Sequence, residues 1–204
     1  MEEFLLGIER NPVIDDPEIA SFWEGLPQNL EKLENVIWAE NPAKPGDFGW
    51  TMGGDGISRV WHPGVNEEEK WGWAGAPDIV AEYKGKIVLG DLKTSNGPYY
   101  SKWPGPETPK NQYGMRRAGF MKYQKCQLQL AAYALGLEHT VNIKPELCMT
   151  FVATRETVQV FAIQAGTIEK YKQKWLDTVE KYYSEILPAQ KAAELEMDAQ
   201  EDKD

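Results

Sequence analysis

Apolar residues stand at helical spacing in some stretches of this chain and alternate with polar ones in others. After Pro17, Phe22, Leu26, Leu30 and Leu33 recur three or four apart, which predicts a helix. Residues 1–9 read as a shorter helix before it, and 35–40 as a strand. Two strand-like runs follow within 75–95, GAPDIVAEYKGKIVLGDLKTS, joined by a Lys84-Gly85 turn. Residues 121–138 carry Leu128, Ala131, Ala132 and Leu135 as a helical stripe. Residues 146–153 and 157–163 predict a second hairpin. Gly166 then precedes a long helix with Ile168, Tyr171, Trp175, Val179, Tyr182 and Ile186 on one face. There is no internal repeat.

Two stretches break the periodicity. Residues 41–74 are rich in Gly, Pro and Trp (Trp50, Trp61, Trp71, Trp73), with a short alternating run at Ile57-Ser58-Arg59-Val60-Trp61. Those tryptophans are expected to pack rather than stack on a ligand. Residues 96–120 read as a second irregular insert, holding Tyr99, Tyr100, Trp103, Tyr113, Arg116, Arg117 and Phe120. Loops of this length without periodicity are functional or disordered. Residues 1–187 therefore read as one domain with inserts at about 41–74 and 96–120. The stretch 188–204 reads as an acidic, disordered tail.

The first hairpin carries the candidate chemistry. Side chains alternate faces along a strand, so Ile87, Leu89, Asp91 and Lys93 share one face. Folding the hairpin brings Asp78 near Asp91. Two carboxylates beside a lysine can hold a divalent cation and poise a water against a phosphodiester. A solvated hairpin with charged strand ends is the plainer alternative. On the 121–138 helix, Gln129 and Tyr133 are four apart and share a side, with Lys122 and Lys125 toward it. Gln129 is placed to orient an attacking water or a phosphate oxygen; a core Gln and Tyr satisfied by the sheet is the other reading.

Pro77-Asp78, Asp91-Leu92-Lys93 and Gln129-Leu130-Ala131-Ala132-Tyr133 together resemble the motifs of the PD-(D/E)XK nuclease superfamily, in its RecB-like branch. Residues 78–95 look most like the hairpin of the mitochondrial genome maintenance exonuclease group and its phage relatives. The resemblance covers about residues 30–187. It implies an α/β (α+β) fold with a restriction-endonuclease-like core, a central mixed sheet flanked by helices. It also implies a metal-dependent exonuclease that hydrolyses single-stranded DNA in replication, recombination or end processing. Asp78, Asp91 and the Leu92 carbonyl would bind Mg²⁺ or Mn²⁺. Lys93 would orient or deprotonate the water, Gln129 would position it, and Tyr133 would support Gln129.

The chain departs from that group at one point. The group carries a histidine on an N-terminal helix that reaches the metal. Here His62 lies before the hairpin and His139 follows the Gln129 helix. The opening MEEFLLGIER resembles the latter half of the group's helix, so Glu2 or Glu3 is the candidate replacement, with Glu40 as a further candidate. Two alternatives accompany the exonuclease: a catalytically weakened nuclease-fold protein that binds DNA ends or a replication partner, and a structure-specific endonuclease.

Charge distribution bears on the substrate. The 204 residues carry a net charge of −10, which opposes DNA binding. Between Lys84 and Lys125, however, nine basic residues face two acids, so that segment is +7 and the remainder −17. Within 96–120, aromatics alternate with cations, the pattern that holds single strands by stacking bases and meeting phosphates. Tyr99, Tyr100, Lys102, Trp103, Arg116, Arg117, Lys122 and Lys125 are the candidate DNA contacts, in a gate over the strand or in a loop whose rings cover the core. Thr94 and Ser95 are placed to bond a phosphate, or to cap a turn.

Two cysteines, Cys126 and Cys148, read as reduced and packed, and are too few for the four thiolates of an iron–sulfur cluster. No apolar run reaches membrane-helix length and no secretory leader is recognisable. The sequence thus predicts a cytoplasmic protein, or a phage protein in its host's cytoplasm. Its expected partner is DNA with a free end, with replication or recombination proteins beside it and no membrane.

Overall fold

The structure, a computed structural model, describes residues 17–39, 60–61, 72–73, 75 and 77–201. Within them the fold is mixed α/β, built on a five-stranded mixed sheet in the order β1-β4-β5-β6-β7. The strands are β1 (Glu34–Ala39), β4 (Ile79–Tyr83), β5 (Lys86–Thr94), β6 (Leu147–Ala153) and β7 (Val158–Gln164). Val60–Trp61 (β2) and Gly72–Trp73 (β3) make a separate two-stranded ladder. The β5–β6 pair is parallel and the other pairs of the large sheet are antiparallel.

The β4–β5 turn is dictated locally. Lys84 and Gly85 both have positive φ, 52° and 72°, as a two-residue hairpin turn matched to strand twist requires. A parallel pair needs a long crossover, and α3 (Lys110–Val141) supplies it between β5 and β6. It ends at Asn142, left-handed at φ 56°, whose N–H donates to the Leu137 carbonyl.

Alternation splits the core across the sheet. Ile79, Ala81, Val88, Leu147, Met149, Phe151 and Ala153 pack under Leu26, Leu30 and Leu33. On the other face Val80, Leu89, Cys148 and Ile163 pack against Leu130, Ala134 and Leu137 of α3 and Ile168 of the next helix. That helix, α4 (Ala165–Lys181), is tied to α3 by the Tyr171 hydroxyl donating to Gln124 (3.1 Å) and by Lys172 bridging Glu138 and Glu169. Trp73 packs as expected: its indole N–H donates to the Ala132 carbonyl (3.3 Å), and its ring meets Trp175 edge-on. Both cysteines are free and buried. No helix among the described residues is long and apolar enough to cross a membrane.

Several expectations need correction. The run 17–33 is two pieces, α1 (Pro17–Trp23) and α2 (Pro27–Leu30), because Gly25 at φ +117° breaks the helix between them. The stretch 96–120 is irregular only to Pro109. Tyr113, Arg116, Arg117 and Phe120 lie on α3, whose first half Gly114 and Gly119 disguise through their low helix propensity. His139 sits in the last turn of α3, not after it. Gly166 lies inside α4, which starts at Ala165. A π-helical turn (Tyr182–Ile186) leads into α5 (Leu187–Glu201), so the acidic tail is helical through Glu201 rather than without structure. The predicted helix at 1–9, with Glu2 and Glu3, and Glu40, His62, Trp50, Trp71 and 57–59 all lie outside the described residues.

Candidate functional site

The site lies at the sheet face covered by α3. Asp91 sits on β5, wholly buried. Two residues on, Lys93 points the same way, and its ammonium meets Asp91 Oδ1 at 2.9 Å. Asp78 immediately precedes β4, and its Oδ2 accepts the backbone N–H of Leu92 at 2.6 Å. The first acid is therefore fastened to the backbone between the second acid and the lysine. That bond uses one acceptor position of a carboxylate that has about four.

From the helix side, Gln129 Nε2 donates to the Tyr133 hydroxyl at 2.7 Å. Burial is the main cause raising the Tyr133 phenol above its ordinary value, and the charges of Asp91, Lys93 and Asp78 also act on it. All five predicted catalytic side chains thus belong to one neighbourhood.

The electrostatics hold Lys93 as a cation. Burial alone would lower its pKa, but the hydrogen bond and charge of Asp91, with the charge of Asp78, outweigh burial and raise it above the ordinary 10.5. A folded pKa above the unfolded one adds stability below the unfolded value, lost as pH rises through the folded value. The Lys93 contribution to the stability difference between wild type and Lys93→Met should therefore be flat from pH 7 to about pH 10.5 and change only above it. Denaturant unfolding at pH 7, 9 and 11 checks this. A difference that already collapses between pH 7 and 9 would contradict the assignment.

The donor set suits a hard divalent cation: two carboxylates and the adjacent Leu92 carbonyl, all oxygen. The neighbouring Cys126 thiol is pushed up to about 11, chiefly by burial and then by the Asp91 charge, so it stays protonated and offers no thiolate. Among the described residues no third His, Cys, Asp or Glu joins the two acids.

The predicted nucleic-acid contacts divide. Trp103 is 47% exposed, pairs edge-on with Phe120 at 5.4 Å, and has the Arg117 guanidinium 5.7 Å from its ring. Arg116 lies over Tyr100 at 5.3 Å. Thr94, Lys102 and Lys125 are exposed. Tyr99 is different: it is buried with Cys126 and Val152 and is a packing residue, not a platform for a base. Ser95 is also buried and forms a turn. Its hydroxyl donates to the Gly97 carbonyl (2.8 Å) and accepts from Lys122 Nζ (3.1 Å).

Three supporting residues escape sequence reasoning. Gln159 of β7 clamps the backbone of Tyr99, accepting its N–H at 2.8 Å and donating to its carbonyl at 3.2 Å. At Gly119 a Cβ would stand 2.5 Å from the Pro98 carbonyl, so only glycine lets this loop seat on α3. A Cβ on Gly75 would stand 2.5 Å from the Tyr133 ring. Gly75→Ala should therefore displace that ring and cost about 1–3 kcal/mol as overpacking does. A melting midpoint equal to wild type would contradict the close approach. Only an alignment in space reveals these contacts; the lone signal in the chain was Gly75 standing two residues before Pro77-Asp78.

No protein-family model matches the chain, and no curated protein matches it.

Proposed function

We propose that this protein is a metal-dependent deoxyribonuclease of the PD-(D/E)XK type that acts as an exonuclease on single-stranded DNA. The observation that carries the reading is the buried Asp91 paired with Lys93, with Asp78 bonded to the N–H of Leu92 between them. A structural ion pair needs only one acid. Here a second carboxylate converges on the same short segment, under a Gln–Tyr pair from the crossover helix.

Asp78, Asp91 and the Leu92 carbonyl would hold Mg²⁺ or Mn²⁺. Such a cation supplies a water of lowered pKa and stabilises charge on the phosphate. Lys93, cationic at rest, neutralises the paired acids and is placed to steady a phosphate oxygen or orient the water. Gln129, fixed through its amide by Tyr133, orients the same water. Trp103 with Arg117, and Tyr100 with Arg116, offer rings and guanidinium groups to a strand whose bases are unpaired. A duplex hides its base faces, so this combination favours single strands. Preference for an end over internal cutting rests on the family resemblance of the hairpin and helix motifs.

End-labelled single-stranded and double-stranded DNA, incubated with Mg²⁺, Mn²⁺ or EDTA, tests the reading. Metal-dependent, progressive shortening of the single strand is expected. Binding without cleavage under either metal would support a nuclease-fold binding protein instead, and discrete internal cuts an endonuclease.

A further inference from the structure

Strand β6 reads Leu-Cys-Met-Thr-Phe-Val-Ala, and all of it is buried. Thr150 is its one polar residue. Leu147, Met149, Phe151 and Ala153 face the α1–α2 side. Cys148 and Val152 belong to the clusters on the α3 side, and Thr150 alternates with them. In the parallel register Thr150 stands directly opposite Asp91, and Val152 opposite Lys93. Thr150 and Asp91 are both wholly buried. The Thr150 hydroxyl meets no hydrogen-bond partner among the described residues.

A buried hydroxyl without a partner is a standing cost that valine, of the same shape, would avoid. Such groups call for an explanation, and a role in a site is one. Beside the acid of a candidate cation site, that role follows from charge. The Lys93 ammonium holds Asp91 Oδ1 at 2.9 Å. With a divalent cation at the carboxylates, that ammonium is repelled, and a neutral donor beside the carboxylate can take over its part in orienting it. A hydroxyl can rotate to supply one, and carboxylates that bind metals are held by outer donors of this kind.

We propose that Thr150 is a positioning residue for Asp91: its hydroxyl donates to the Asp91 carboxylate when the cation is bound. This rests on reading Asp78 and Asp91 as a cation site.

Thr150→Val and Thr150→Ser test it, with the full chain and Mn²⁺ alone. Thermal midpoints are read first in EDTA and then against Mn²⁺ concentration, which yields an affinity by mass action. In EDTA the valine variant should melt at or above wild type. Its Mn²⁺ affinity should fall by about tenfold, as loss of an outer donor typically costs, and serine should hold it within about twofold of wild type. A valine variant that binds Mn²⁺ as wild type does would overturn the proposal. Equal weakening in valine and serine would overturn it too, since shape and not the hydroxyl would then matter. A valine midpoint well below wild type in EDTA would mean that the hydroxyl already serves the fold, and would likewise overturn it. If wild type itself shows no Mn²⁺-dependent shift, the cation-site reading has failed, and that result is distinct because no variant is needed to see it.

Discussion

Asp91→Asn is expected to abolish metal-dependent cleavage, by about 10³-fold or more, while the protein stays folded. The substitution preserves shape and one acceptor oxygen but removes the charge that attracts the cation. Metal stabilisation of a phosphoryl transition state is worth several kcal/mol, and each 1.36 kcal/mol is a factor of ten, which sets that scale. The same change removes the strongest influence that raises Lys93 and leaves burial, which lowers it, opposed chiefly by the charge of Asp78. Lys93 should therefore titrate at lower pH in the variant than in wild type. A single-turnover assay beside a denaturant curve separates lost chemistry from lost fold. A variant that cleaves at the wild-type rate would remove Asp91 from the reaction.

Phe151→Ala is expected to cost about 4 kcal/mol, near the middle of the range for a buried phenylalanine. Phe151 lies on β6, flanked by β5 and β7, and is 2% exposed. Its ring fills the space over Gly90: a Cβ added there would stand 3.5 Å from Phe151 Cε2. Paired strands on both sides and α1–α2 above hold the lining apart, so the cavity cannot collapse easily. Domain stabilities are about 5–15 kcal/mol, so this loss leaves little reserve. Urea unfolding of the two proteins measures it. A loss below about 1 kcal/mol would mean that the core repacks freely around the cavity.

The parts of the fold that the sequence made legible share a physical origin. The β4–β5 hairpin was readable because Lys84-Gly85 is a turn by local chemistry and the flanking residues alternate. Gln129 and Tyr133 were readable as a pair because helical spacing puts them on one side. The first half of α3 was not readable: its residues are mostly polar or exposed, and two glycines interrupt them. What stabilises it is tertiary, including Gly119 seated on Pro98 and the Tyr100 ring. The break in the 17–33 helix was hidden for the opposite reason. Leu26, Leu30 and Leu33 keep their apolar spacing and all reach the core, so periodicity survives where the helix does not.

At the site, alternation along one strand was enough to set Asp91 beside Lys93. Neighbours from other strands were not foreseeable in the same way. Thr150 stands out in β6 only once the register places it opposite Asp91. Gln159 gains meaning only from a loop sixty residues earlier in the chain. Tyr99 looked like its neighbours Tyr100 and Trp103, yet burial separates it from them.

Calorimetric titration of Mn²⁺ into wild type, Asp78→Asn and Asp91→Asn bears most directly on whether these two carboxylates form a cation site. Saturable binding to wild type, lost or greatly weakened in both variants, is the predicted result. Binding that is unchanged in both variants, or absent from wild type, would contradict the account.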